Sequence, residues 1–73
     1  MAPLYVLKPR EVEKKLKKLG FELARQKGSH KQYKHGDGRQ TTVPFHKGQD
    51  ISPILLKKIA SDIGMNSQDF IKL

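Results

Sequence analysis

The sequence predicts an α+β fold in the order α-β-β-β-α: a three-stranded antiparallel sheet with two helices on one face. Three observations point to it. Apolar residues recur at helical spacing near both ends, the middle alternates polar and apolar residues, and glycines punctuate the junctions. At 73 residues the chain makes one domain, residues 1–73. A core this thin supplies only roughly 3–5 kcal/mol, and without cysteine the chain has neither disulfides nor thiolate zinc sites to add to it.

Residues 1–8 read as an irregular lead-in from which Leu4 and Val6 touch the body. The first helix runs from Pro9 to Leu19. Proline suits its first position, because the fixed φ is helical and the missing N–H would have no partner there. Val12, Leu16 and Leu19 form one stripe, Glu13 and Lys17 are a favourable i,i+4 pair, and Gly20 ends the helix.

Three strands follow, Phe21–Gln26, His30–His35 and Arg39–His46, joined by the three-residue turns "KGS" and "GDG". In that register Leu23 opposes Tyr33, Tyr33 opposes Thr41, and Lys31 opposes Val43. Phe21, Leu23, Tyr33, Val43 and Phe45 then share one face, and a one-residue slip would scatter them. The other face carries Glu22 beside Lys34, Gln32 beside Thr42, and His30 between Gln26 and Pro44. A second helix starts with Ser52 as N-cap and Pro53 at N1, buries Leu55, Leu56, Ile59 and Ile63, and stops at Gly64. Asn66 or Ser67 caps a last short turn whose Phe70 and Leu73 close the core. Both amphipathic helices must cover the same sheet face, which leaves the other open, polar and basic. Double-stranded-RNA-binding domains share this topology.

Fifteen Lys and Arg against seven acids give a net charge of +8. Such a field attracts polyanions, nucleic acid first, ahead of an anionic membrane or an acidic protein. A solvated lysine surface has the same composition, so charge alone does not decide. No apolar run spans a bilayer, and "MAPLYVLKPR" lacks the order of a signal peptide, so the expected location is the cytoplasm. The apolar stripes are needed for the core, which argues against membrane binding.

The chemistry centres on "KGSHKQY". His30 follows a turn and lies on the open face by parity, and imidazole is the side chain suited to give and take protons near neutral pH. Lys27, Lys31 and Lys34 are local cations. His46 is its diagonal neighbour, roughly 7–8 Å away. Two imidazoles flanking a phosphodiester can act as base and acid in RNA cleavage; alternatively, His46 contacts RNA or merely ends its strand. His35 has the opposite parity and reads as structural. Ser29 and His30 are adjacent on a strand and point apart, which argues against a serine–histidine nucleophile pair. The acids are scattered, without the carboxylate cluster of a two-metal nuclease. No P-loop, nucleophile elbow or dinucleotide turn is present, so no metal or other cofactor is expected.

The segment "RQKGSHKQYKHGDGRQTTVPFHKGQDISPILLKKIASDIGMNSQDF" resembles the HicA toxins of bacterial and archaeal toxin–antitoxin systems, and the likeness extends back through "PREVEKKLKKLGFE". Its most specific parts are Gly28-Ser29-His30 with Tyr33, Val43-Pro44-Phe45-His46, and the closing "L..I..DIGM....F". The resemblance implies a small metal-independent endoribonuclease that cleaves mRNA during translation arrest. His30 maps onto the essential histidine of the glycine–serine–histidine motif, and a HicB-like antitoxin masks it. The expected RNA contacts are Lys27, Gly28, Ser29, Lys31, Lys34, Arg39 and Lys47. Two other classes stay open: an RNA-binding module that does not cut, and a protein-binding adaptor. Only Lys57 and Lys58 lie near the start of the second helix, which favours single-stranded mRNA over duplex RNA.

Overall fold

Pro9 opens helix α1 (Pro9–Lys18) as its first residue in the computed structural model, which describes residues 6–73. The Lys8 backbone N–H donates to the Glu11 carboxylate at 3.0 Å, satisfying one group at the helix entry. At the other end the Phe21 N–H bonds the Leu16 carbonyl and the Gly20 N–H bonds that of Lys17. This is a Schellman motif, which needs a left-handed residue, and Gly20 supplies it with φ +93°.

Three strands form an antiparallel sheet in the order β1 (Glu22–Lys27), β2 (His30–Lys34) and β3 (Gln40–Pro44). All the expected β2–β3 pairs are present, including Tyr33 with Thr41, Lys31 with Val43 and His30 with Pro44. The β1–β2 hairpin differs. Glu22 opposes Lys34 and Leu23 opposes Tyr33 as expected, but the register then shifts between Leu23 and Arg25. Ala24 is the extra residue of a β-bulge, and the turn tightens to Gly28 and Ser29. Glycine at φ +58° in the first turn position matches a type II′ hairpin, whose twist suits the flanking strands. Lys27, not Gln26, therefore lies opposite His30.

Tyr33 and Thr41 show where the helices sit. The Tyr33 hydroxyl donates to the Glu13 carboxylate of α1. The Thr41 hydroxyl bonds Asp62 at 3.0 Å, at the end of helix α2 (Pro53–Asp62). Tyr33 and Thr41 are neighbours on one face, so both helices cover that face. Burial and the Glu13 carboxylate push the Tyr33 hydroxyl well above its ordinary pKa, so it keeps its proton.

Ser52 caps α2 by accepting from the Leu55 N–H, and Pro53 is its first residue. A second Schellman pair, Met65 N–H to Ala60 and Gly64 N–H to Ser61, ends it. Asn66 caps α3 (Ser67–Ile71), and Lys15 of α1 donates to the Ile71 and Leu73 carbonyls at 3.0 and 2.6 Å, tying this last helix to the first.

The core comprises Val12, Leu16, Phe21, Tyr33, Val43, Ile51, Leu56, Ile59, Ala60, Ile63 and Phe70. Leu19, Leu55, Phe45 and Leu73 pack at its margin. Leu23, expected inside, is 45 % exposed because β1 is an edge strand beyond the helices' cover. Leu4 lies outside the described residues, and Val6 is 52 % exposed; the contact from the lead-in is made by Leu7, whose carbonyl accepts from the Ile51 N–H at 2.7 Å. No helix among the described residues is long and apolar enough to cross a membrane.

A Cβ at Gly20 would sit 3.0 Å from the His35 ring, whereas Gly38, also at positive φ, faces open space. Gly20→Ala should cost more than the ~1–2 kcal/mol of the left-handed conformation, and Gly38→Ala about that amount alone. Urea midpoints at unchanged m-value test the difference.

Candidate active site

The open face of the sheet is built from β2 and β3 residues of one parity: His30, Gln32 and Lys34 beside Pro44, Thr42 and Gln40. The bulge at Ala24 brings Arg25 and Lys27 of β1 to the same face, opposite Gln32 and His30. His30 begins β2 directly after the tight turn, and its side chain is exposed.

Beyond β3 the chain continues through Phe45 to His46. The Phe45 N–H donates to the Ser29 carbonyl at 2.6 Å, which extends the pairing past Pro44 and pins His46 beside the turn. The Ser29 hydroxyl and His46 Nδ1 are 3.2 Å apart. The two imidazoles meet edge to face, with centroids 5.7 Å apart and planes at 81°. Both are exposed, so a phosphodiester can reach both rings. The Ser29–His46 contact was not legible in the sequence, where parity separated Ser29 only from His30. A hydroxyl on Nδ1 leaves His46 Nε2 as the nitrogen available to a ligand.

The other expected contacts separate into groups. Lys27 lies across from His30, Gly28 and Ser29 form the adjoining turn, and Lys47 is exposed next to His46. Lys34 shares the face but lies four residues along β2 from His30, roughly 13 Å at strand rise. Lys31 has the parity of Tyr33 and points to the helix side. Its ammonium is 3.8 Å from the Glu13 carboxylate and 4.0 Å from the centroid of the Phe45 ring. Arg39 is also engaged elsewhere: Nη1 donates to the Ile63 carbonyl at 2.5 Å, Nε to Asp37 at 2.8 Å, and the guanidinium lies over the Phe21 ring. It ties the β2–β3 turn to the end of α2. His35 packs edge to face on Phe21 and its Nδ1 faces the Asp37 N–H. Among the described residues no group of three His, Cys, Asp or Glu side chains is placed to hold a metal ion.

The Arg39 backbone N–H holds the Asp37 carboxyl below the usual carboxylate range, helped by the Arg39 guanidinium and His35.

A family model described as HicA toxin of bacterial toxin–antitoxin matches residues 9–65. The match spans α1, the whole sheet, both histidines and α2. No curated protein matches the chain.

Arg39→Ala should destabilise the fold by about 1–3 kcal/mol, the size of lost hydrogen bonds to a charged group. Lys34→Ala, on the exposed sheet surface, should stay within ~0.5 kcal/mol. Asp37→Asn gives the pH counterpart. A carboxyl titrating lower when folded stabilises fully above the ordinary value near ~3.9, and that contribution vanishes as pH falls through the folded value. The stability gap between wild type and Asp37→Asn should hold at neutral pH and close in acid, as followed by urea melts across pH.

Proposed function

We propose, from the premise that the chain belongs to the HicA toxin family, that it is a metal-independent endoribonuclease. Its substrate is single-stranded mRNA, its acid–base pair is His30 and His46, and it acts in the cytoplasm. The observation that carries this reading is the edge-to-face pair of exposed imidazoles, 5.7 Å between centroids, on the open basic face of the sheet. One neutral imidazole takes the proton of a ribose 2′-OH. The 2′-oxygen attacks the adjacent phosphorus, the bond from phosphorus to the 5′-oxygen breaks, and the protonated imidazole delivers its proton to that oxygen. The products are a 2′,3′-cyclic phosphate and a 5′-OH. His30 is the principal group, and His46, steadied through Nδ1 by Ser29, is its partner.

Lys27, across from His30, offers charge to the scissile phosphate, and Lys47 lies exposed beside His46. The start of α2 supports a single-stranded substrate: it carries only Lys57 and Lys58, and Lys58 is held by Asp62 at 3.1 Å, leaving few free cations there for a duplex backbone. A HicB-like antitoxin neutralises the toxin by covering the histidine face. An RNA-binding module of this fold would keep the basic face but need neither imidazole.

His30→Ala should lower cleavage of a single-stranded RNA by about 10²–10⁴-fold and abolish growth arrest on expression, with the circular dichroism spectrum unchanged. His46→Ala should fall in the same direction. Wild-type cleavage should persist in EDTA, give a bell-shaped pH profile, and spare an oligonucleotide lacking the 2′-OH. A 5′-phosphate at the cut, or full activity in His30→Ala, would overturn the mechanism.

A further inference from the structure

An open cleft of about 410 Å³ adjoins the histidine pair. One wall is the start of α1, with Lys8 and Arg10; the other is the segment after β3, with Phe45, His46, Lys47 and Asp50. Its size lies within the ~300–1,000 Å³ of small-molecule sites. Because His46 belongs to both features, the cleft is continuous with the proposed site of cleavage.

The lining is uneven in charge. Three cations face one acid, and Asp50 is already 4.0 Å from the Lys8 ammonium. Arg10 and Lys47 have no ion-pair partner among the described residues, and both are exposed. Lys15, Lys31 and Arg39 are bound to carbonyls, a carboxylate or aromatic rings, whereas Arg10 and Lys47 make no such contact among the described residues. Phe45 adds a half-buried aromatic surface, positioned by Lys31 and by the backbone bond to Ser29. Unpaired cations beside an aromatic ring are the chemistry that holds a nucleotide, with phosphate on the charges and base against the ring. The entry of α1 is already capped by Glu11, so the site rests on side chains rather than on the helix end.

We propose that this cleft is a subsite for the nucleotide next to the scissile phosphate: Arg10 and Lys47 hold its phosphate and Phe45 its base. The subsite rests on the ribonuclease reading and deepens it, because it routes the RNA strand off the sheet and toward α1 instead of along the sheet toward Lys34. Its residues bind ground state and transition state alike, so their loss raises KM more than it lowers kcat.

The test is binding and cleavage by the full chain carrying Arg10→Gln and Lys47→Gln together. Binding is measured with a short single-stranded RNA made non-cleavable by 2′-O-methylation, and cleavage with the unmodified strand. Lys18→Gln is the control for a charge removed from α1 outside the cleft, since it lies eight residues along α1 from Arg10, roughly 12 Å. The double variant should bind roughly tenfold or more weakly and show a salt dependence shallower by about 0.7 per lost contact. Its KM should rise with a much smaller change in kcat, and Lys18→Gln should behave as wild type. If wild type binds and cuts RNA and the double variant does so equally well, or no worse than Lys18→Gln, the subsite is refuted and the ribonuclease reading stands. If wild type neither binds nor cuts the RNA, both are refuted.

Discussion

Tyr33 is the residue on which the rest of the molecule depends. It sits on the central strand, has no exposed surface, and donates its hydroxyl to Glu13 of α1. Both helices lie on the Tyr33 face of the sheet, and a phenol buried there must find an acceptor. Glu13 meets that need and also forms an ion pair, at 3.8 Å, with the ammonium of Lys31 from the same strand face. Lys31 in turn lies over Phe45, the residue before His46. One carboxylate on the first helix is thereby linked through packed groups to the segment that carries the second imidazole. The linkage is structural; it fixes where His46 begins.

With the helices on one side, the opposite face needs no apolar residues and is free to display chemistry. The bulge at Ala24 alters which groups appear there. The extra residue reverses the parity of the following β1 residues, turning Arg25 and Lys27 toward His30 and Gln32. It also permits the tight glycine turn whose Ser29 receives the Phe45 N–H and contacts His46. A local irregularity in an edge strand thus adds positive charge to the histidine face and organises the turn beside it.

The net charge of +8 divides by the work each cation does. Lys15, Lys31 and Arg39 terminate helices or lie on aromatic rings, and their loss would be felt in stability. Lys27, Arg10 and Lys47 are exposed near the imidazoles. Composition predicts a field around the molecule; it does not distinguish these two populations, since both contribute equally to the total.

The element order, the β2–β3 register, both helix stops and the N-cap of α2 are legible in the sequence. Each follows from local rules: proline at a first helical turn, glycine where φ must be positive, and alternation that permits only one register. The sequence also placed His30 and His46 on one face, because the β2–β3 pairing carries no bulge to change the parity. The β1 register emerges only in the folded chain, since a bulge depends on how a hairpin twists against its neighbour rather than on any residue type at Ala24. Only the fold shows Leu23 at an uncovered edge, where the reach of the helices sets burial. It alone assigned Arg39 to the end of α2 and turned Lys31 to the helix side. Cations look alike in a sequence, and their partners, the Ile63 carbonyl and Glu13, are chosen by packing across the chain.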